Sequence, residues 1–237
     1  MNETQTIQWA KKVSDMMHRY FAQKKKLMKK LLKAGGEHVS VFSRIRMVGK
    51  PNNPEIQNIE KQIRVLVLKN QIPLFNNIIN YGSMVRATLH QSFDRHIMNV
   101  KRSQHMVDSF LRWAKEYRAL LFRQNEFLQS HNPLSQKDLE NFDGLWLQEE
   151  HSYYERNRVK KPMMHYIKSL SKKTKSIYAQ LKDFYYSAGS AHQKYKPIMV
   201  WVYRGTIAIS ALSLVLGVDM SDVTDPIKKV SQILTGE

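Results

Sequence analysis

The sequence predicts an all-α protein, an elongated bundle of five to seven long helices with a short extended connector near residues 38–50. Three observations carry that expectation. Helix breakers are scarce, with 9 Gly and 7 Pro among 237 residues, so long uninterrupted elements should form. Apolar residues recur alternately four and three positions apart over long stretches, which is the spacing of a helix seam. Only His38 to Val48 is strand-like, rich in β-branched residues and partly alternating, and one such run cannot make a sheet. With 42% hydrophobic and 24% charged residues, the composition is globular and the chain is long enough to bury a core.

The elements follow in order. Thr6 to Lys33 reads as a helix whose seam is Val13, Met17, Tyr20, Lys24, Leu27 and Leu31, with Lys24 as the single polar intruder. Lysines crowd its other faces and its last turns, where they suit the helix dipole, and Gly35-Gly36 supplies the stop. Lys50 to Pro54 reads as a turn. Glu55 to Asn70 is a second, shorter helix, with Pro73 marking a break or kink near its end. From Ser83 to about Ser130 the residues Leu89, Phe93, His96, Val100, Ser103, Val107, Phe110, Ala114, Tyr117 and Leu121 repeat four and three apart without Pro or Gly. As one helix this segment would be about 70 Å long and would need partners of similar length. His131-Asn-Pro133 ends it, and Ser135-x-x-Asp138 resembles a capping box for the next helix. Three segments result: a basic N-terminal helix and connector (1–50), a long-helix body (51–196), and an apolar C-terminal helix with a short capped tail helix (197–237). Asp225-Pro226 starts that tail helix and Gly236 ends it.

Charge is the dominant signal. Lys and Arg number 38 against 20 Asp and Glu, a net of +18. Such an excess repels itself unless an anionic partner compensates it. Up to Pro197 there are 35 basic and 16 acidic residues, and from Ile198 onward 3 and 4. Residues 133–155 are the acidic exception, with Asp138, Glu140, Asp143, Glu149, Glu150 and Glu155; pairing with a basic helix of the same chain is the expected use of these carboxylates. Arg156 to Lys196 is the most basic tract, with tyrosines interleaved and Pro162 and Gly189 as punctuation. The candidate contacts for an anionic partner are Lys25, Lys26, Lys29 and Lys30 in the first helix, Arg44 and Arg46 on the connector, and Lys172, Lys173, Lys175, Lys182, Lys194 and Lys196 in the basic tract. That mixture of lysine and tyrosine suits either an acidic lipid surface or the phosphates and bases of a nucleic acid.

Ile198 to Val218 is a run of 21 residues holding one charge, Arg204. Its length matches a bilayer span. Trp201 and Tyr203 sit at one end, and the basic N-terminal flank would place the body in the cytoplasm. Ile198, Trp201, Tyr203, Ile207, Leu212 and Leu216 are the candidate anchor residues. Alternatively, the run is a core helix apolar on all sides. The expected function is therefore a non-enzymatic basic scaffold or assembly protein at the cytoplasmic face of a membrane, its tail across it. The alternative is a cytoplasmic nucleic-acid-binding helical protein with residues 198–218 as core. Long helices also leave room for protein partners or an oligomer.

Reactive chemistry has little support in the sequence. Without cysteine, disulfides, thiolate metal sites and a cysteine nucleophile are excluded. No secretory signal is expected at the N-terminus. Phosphate-cradling glycine loops, a nucleophile elbow and zincin or di-iron spacings are absent from the sequence. His90 with Asp94 and His151 with Glu155 lie four apart, a spacing that ordinary helix-surface hydrogen bonding also uses. No catalytic residue, metal ligand or cofactor is therefore expected.

Overall fold

A computed structural model of the chain describes residues 3–34, 54–91, 100–131, 134–187 and 204–218. At residues 3–4, 90–91, 100–101, 136, 168 and 170–187 it describes the backbone alone. The protein is all-helical, and among the described residues there is no strand. The helices are α1 (Glu3–Ala34), α2 (Pro54–Leu66), α3 (Ile72–Gln91), α4 (Val100–Ser130) and α5 (Gln136–Ser187), with a π-helical turn (Val67–Gln71) joining α2 to α3. Residues 204–215 are also helical. The expected connector at 38–50, the Gly35-Gly36 stop and the tail helix beginning at Asp225-Pro226 lie outside the described residues.

The chain forms two compact units. One comprises residues 15–79 and 113–155, the other residues 1–14, 80–112 and 156–237. In the first, α1 is amphipathic as its seam predicts: Val13 just before the unit boundary, then Met17, Leu27 and Leu31, are buried, and Lys24 among them is fully buried. Phe21 stacks on Tyr153 at 3.6 Å and on Trp146 at 5.4 Å between ring centroids, which ties α1 to α5. Phe75 stacks on Tyr117 at 4.4 Å and meets Trp113 at 5.8 Å, tying α3 to α4. Such aromatic pairs add about 0.5–1.5 kcal/mol each beyond the apolar area they bury. The Trp113 indole N–H donates to the Ser152 carbonyl at 2.9 Å, and Phe127 stacks on Phe142, so α4 and α5 run antiparallel.

One expectation about helix continuity is corrected and another is made specific. The segment from Ser83 to Ser130 is not one long helix. Arg86 pairs with Asp108 at 2.6 Å, whereas a straight helix would separate residues 22 apart by about 33 Å. In the other half of the pair Arg118 donates to the Asn76 side-chain oxygen at 2.8 Å. Helices α3 and α4 are therefore antiparallel neighbours that bury their seams against each other. Gly82 permits the close approach: a Cβ there would lie 2.8 Å from Leu111 Cδ2. The break or kink expected near Pro73 takes the form of a π-helical turn, not a stop. The helix continues through Pro73, because the preceding turn widens to a π-turn in which the Ile72 amide donates to the Val67 carbonyl. Proline removes one backbone donor and crowds the carbonyl four residues back, and an extra residue in the turn just before it accommodates both demands. Pro162 likewise lies inside α5 and does not end it.

Two helix ends are set by local chemistry. At the start of α5, the Ser135 amide donates to Asp138 Oδ2 at 3.0 Å and the Asp138 amide to Ser135 Oγ at 3.3 Å, a reciprocal capping box. The side-chain and backbone bonds from Ser135 hold the Asp138 carboxyl below its usual pKa. The described end of the apolar run is a Schellman motif. Gly217 has φ 77°, the Val218 amide donates to the Ser213 carbonyl at 3.0 Å, and the Gly217 amide to Leu214 at 2.8 Å. Lys160 donates to the Gly217 carbonyl at 2.5 Å, a cation at the negative end of the helix dipole.

Ser135→Ala should lower stability by about 1 kcal/mol, read from the urea midpoint at neutral pH. Asp138 binds its proton less readily when folded, so its contribution is present above the unfolded pKa and fades as pH falls through the lower folded value. The difference between wild type and Ser135→Ala should therefore shrink on acidification below about pH 4; a difference that stays constant to pH 2 would contradict the capping role. Gly217→Ala should cost about 1 kcal/mol by the same assay, because alanine is strained at positive φ.

Candidate functional site: a buried ionic network beneath a lysine face

Helix α1 carries two kinds of lysine, and the helical repeat separates them. Lys24 falls on the seam and points into the core. Its ammonium donates to Glu149 Oε2 at 2.6 Å, to Gln71 Oε1 at 3.3 Å, and to Gln124 Oε1. Glu149 Oε1 accepts from the Tyr117 hydroxyl at 2.6 Å and from Gln71 Nε2 at 3.3 Å. Gln124 Nε2 donates to the Leu145 carbonyl at 3.0 Å. Lys24 and Glu149 have 0% exposed side chains, and Gln71, Gln124 and Tyr117 are buried.

The three ammonium protons each find an acceptor, and both carboxylate oxygens are occupied. A buried polar network must close in this way, because an unsatisfied buried group costs about 1–3 kcal/mol, and a charged one more. The π-turn matters here. Gln71 is its last residue, and the turn brings that amide into the core between the two charges. Burial lowers the Lys24 pKa from its usual value, and the neighbouring Glu149 charge and hydrogen bond oppose the shift only in part.

The expected pairing of the acidic segment with a basic helix is seen twice. Beside Lys24–Glu149, Lys25 pairs with Glu150 at 2.5 Å, and the Glu150 hydrogen bond raises the Lys25 pKa. Lys25 is thus held by an internal partner. Lys26, Lys29 and Lys30 are exposed, and among the described residues none has a carboxylate within ion-pair distance. Arg44, Arg46, Lys194 and Lys196 lie outside the described residues. Lys172, Lys173, Lys175 and Lys182 lie on the backbone of α5. The described residues therefore bring together only the α1 subset of the candidate contacts.

The candidate anchor residues divide similarly. Ile198, Trp201 and Tyr203 lie outside the described residues. Ile207 is 8% exposed, and Leu212 and Leu216 are 0% exposed. Every residue from Gly205 to Leu216 except Ala208 is buried, and Arg204 is exposed at the start of the described helix. No helix among the described residues is long and apolar enough to cross a membrane. His151 meets Glu155 at 3.5 Å on an exposed surface, as the four-residue spacing suggests. Among the described residues no group of three or more histidine or acidic side chains could hold a metal ion.

Sequence reasoning identified Lys24 as anomalous but not its partners. Glu149, Gln71, Gln124 and Tyr117 come from three other helical segments, and only the intrusion of a lysine into an apolar seam hinted that a buried acid must exist. No protein-family model matches the chain, and no curated protein or solved structure matches it.

Lys24→Met should destabilise the protein by about 3–5 kcal/mol, since it strands a buried carboxylate. Lys24→Met/Glu149→Leu should recover part of that loss in urea unfolding; strict additivity of the two single losses would rule out the coupling. The pH dependence has a defined sign. The folded pKa of Lys24 lies below the unfolded 10.5, so between the two values the unfolded state binds more protons and stability rises with pH. Relative to Lys24→Met, the wild type should gain stability as pH climbs toward 10.5.

Proposed function

We propose that the protein is a non-enzymatic helical scaffold that engages an anionic partner through the outward face of α1. The observation that carries this reading is the segregation of charge on that helix. Lys24 and Lys25 meet the acids of α5, while Lys26, Lys29 and Lys30 face outward beside Arg19 and Lys33, all of them exposed. A concentrated cationic face raises the local density of anionic ligands and speeds their capture. The non-enzymatic reading is supported by the state of the ionic network: its charged groups are sealed from solvent and bond one another, which fits a structural role.

The burial of residues 205–216 supports the reading in which the apolar run is core. A membrane anchor built on Ile207, Leu212 and Leu216 would first have to leave that packing. Fully burying a leucine or isoleucine side chain is worth about 1.5–3 kcal/mol, so withdrawing several at once is expensive.

Two measurements test the proposal. The full chain should bind immobilised heparin and elute only at high salt, and Lys26→Gln/Lys29→Gln/Lys30→Gln should elute markedly earlier while keeping its helical circular dichroism. Equal elution of the two proteins would remove α1 from the binding face. Cell membranes carrying the expressed chain should release it on a high-salt wash; retention through alkaline carbonate would instead restore the anchor.

A further inference from the structure

We infer that the anionic partner of α1 is the phosphate backbone of a nucleic-acid duplex, bound without regard to base sequence. This inference rests on the proposed role of α1 as the binding face. From Met16 to Ala34 the helix contains no carboxylate. Its exposed positions there are Arg19, Ala22, Gln23, Lys26, Lys29, Lys30 and Lys33. Arg19, Lys26 and Lys33 are seven residues apart, so they drift only about 20° per step around a straight helix. Lys29 and Lys30 flank the same line. Five cations therefore occupy about 21 Å of a helix uninterrupted by Gly or Pro.

Three features of that face discriminate among anions. First, α1 itself offers no aromatic ring at an exposed position from Met16 to Ala34, and one exposed ring, Tyr154 of α5, lies beside it with its centroid 6.1 Å from that of Phe21. Binding of single strands draws on stacking of successive bases against a series of such rings, which α1 does not supply, so the helix is suited to gripping phosphates. Second, it has no exposed apolar residue larger than Ala22. A helix that lies in a bilayer interface buries its apolar side among the acyl chains, but the apolar side of α1, including Met17, Phe21, Leu27, Met28 and Leu31, is already buried within the protein. A lipid surface would be held by charge alone. Third, linear charge density favours the duplex. Double-stranded DNA presents about 12 phosphates over 21 Å of axis, with a condensed counterion layer to release. Contacts confined to phosphates orient a protein but read no sequence.

The test uses the full chain and three probes: fluorescent duplexes of about 20 base pairs in two unrelated sequences, a single strand of equal length, and phosphatidylserine-containing vesicles. Both duplexes should bind equally and more tightly than the single strand. Lys26→Gln/Lys29→Gln/Lys30→Gln/Lys33→Gln should reduce the slope of log affinity against log salt by about 3.6, which is 0.9 for each of four contacts. Between 50 and 200 mM salt the wild type should then lose about a hundredfold more affinity than the variant. The corresponding four-arginine variant should keep the wild-type slope, which separates charge from a folding defect. An unchanged duplex slope in the folded glutamine variant overturns the inference. So does lysine-dependent binding of vesicles or heparin without duplex binding, although the anionic-partner reading would survive that result. If none of the polyanions depends on these lysines, both readings fall.

Discussion

An ammonium group and a carboxylate removed from water together constrain everything around them. Each loses hydration worth several kcal/mol even after relaxation, and only close contact with full hydrogen bonding offsets the loss. In this protein Lys24 and Glu149 meet that demand with Gln71, Gln124 and Tyr117. The five residues come from four helical segments: α1, the π-turn, α4 and α5. A slip of any segment by one residue would rotate its member out of the network and leave a buried charge or amide unpaired. The network therefore sets helix register, whereas the aromatic contacts of Phe21 and Phe75 supply apolar attraction that tolerates small shifts.

The π-turn is one consequence. A regular α-helix from Pro54 onward would meet Pro73 with a carbonyl clash and would turn the residue at position 71 by about 100° relative to the segment after it. Widening the turn at Val67–Gln71 relieves the proline and brings Gln71 to Lys24. A local irregularity is thus matched to a tertiary requirement, a combination that recurs at π-turns in other helices.

The same network organises the surface. Glu149 and Glu150 are drawn toward α1 by Lys24 and Lys25, so two carboxylates of the acidic segment are already committed to these internal pairs. What remains exposed on α1 from Met16 to Ala34 is a face of uniform sign, preceded by the exposed Asp15 one turn before Arg19. A single helix thus has one side that packs into the fold and another that is exposed. The apolar run is governed by a different rule. Its buried residues from Gly205 to Leu216 need no charged partner, and its end is fixed by backbone geometry at Gly217 together with the Lys160 ammonium.

The sequence by itself determined the helical class, the amphipathic seam of α1, the capping box at Ser135 and the pairing of the acidic segment with a basic helix. The first three depend on interactions within a few residues or on a repeat that the chain displays directly; the fourth follows from the concentration of carboxylates at 133–155 in a chain with a lysine-rich helix, although the paired residues lie 125 positions apart. Tertiary structure decided the rest. The four-and-three repeat from Leu89 to Leu121 is the same for one long helix as for a hairpin of two, so periodicity could not distinguish them; antiparallel packing of α3 on α4 did. Pro73 has the local character of a helix breaker, and the helix continues through it because the turn before it widens to a π-turn whose last residue, Gln71, bonds Lys24. The apolar run has a composition that suits a bilayer or a protein interior equally, because both are media that exclude water. Its residues alone do not determine which of them it meets; in the described structure residues 205–216 are buried except Ala208.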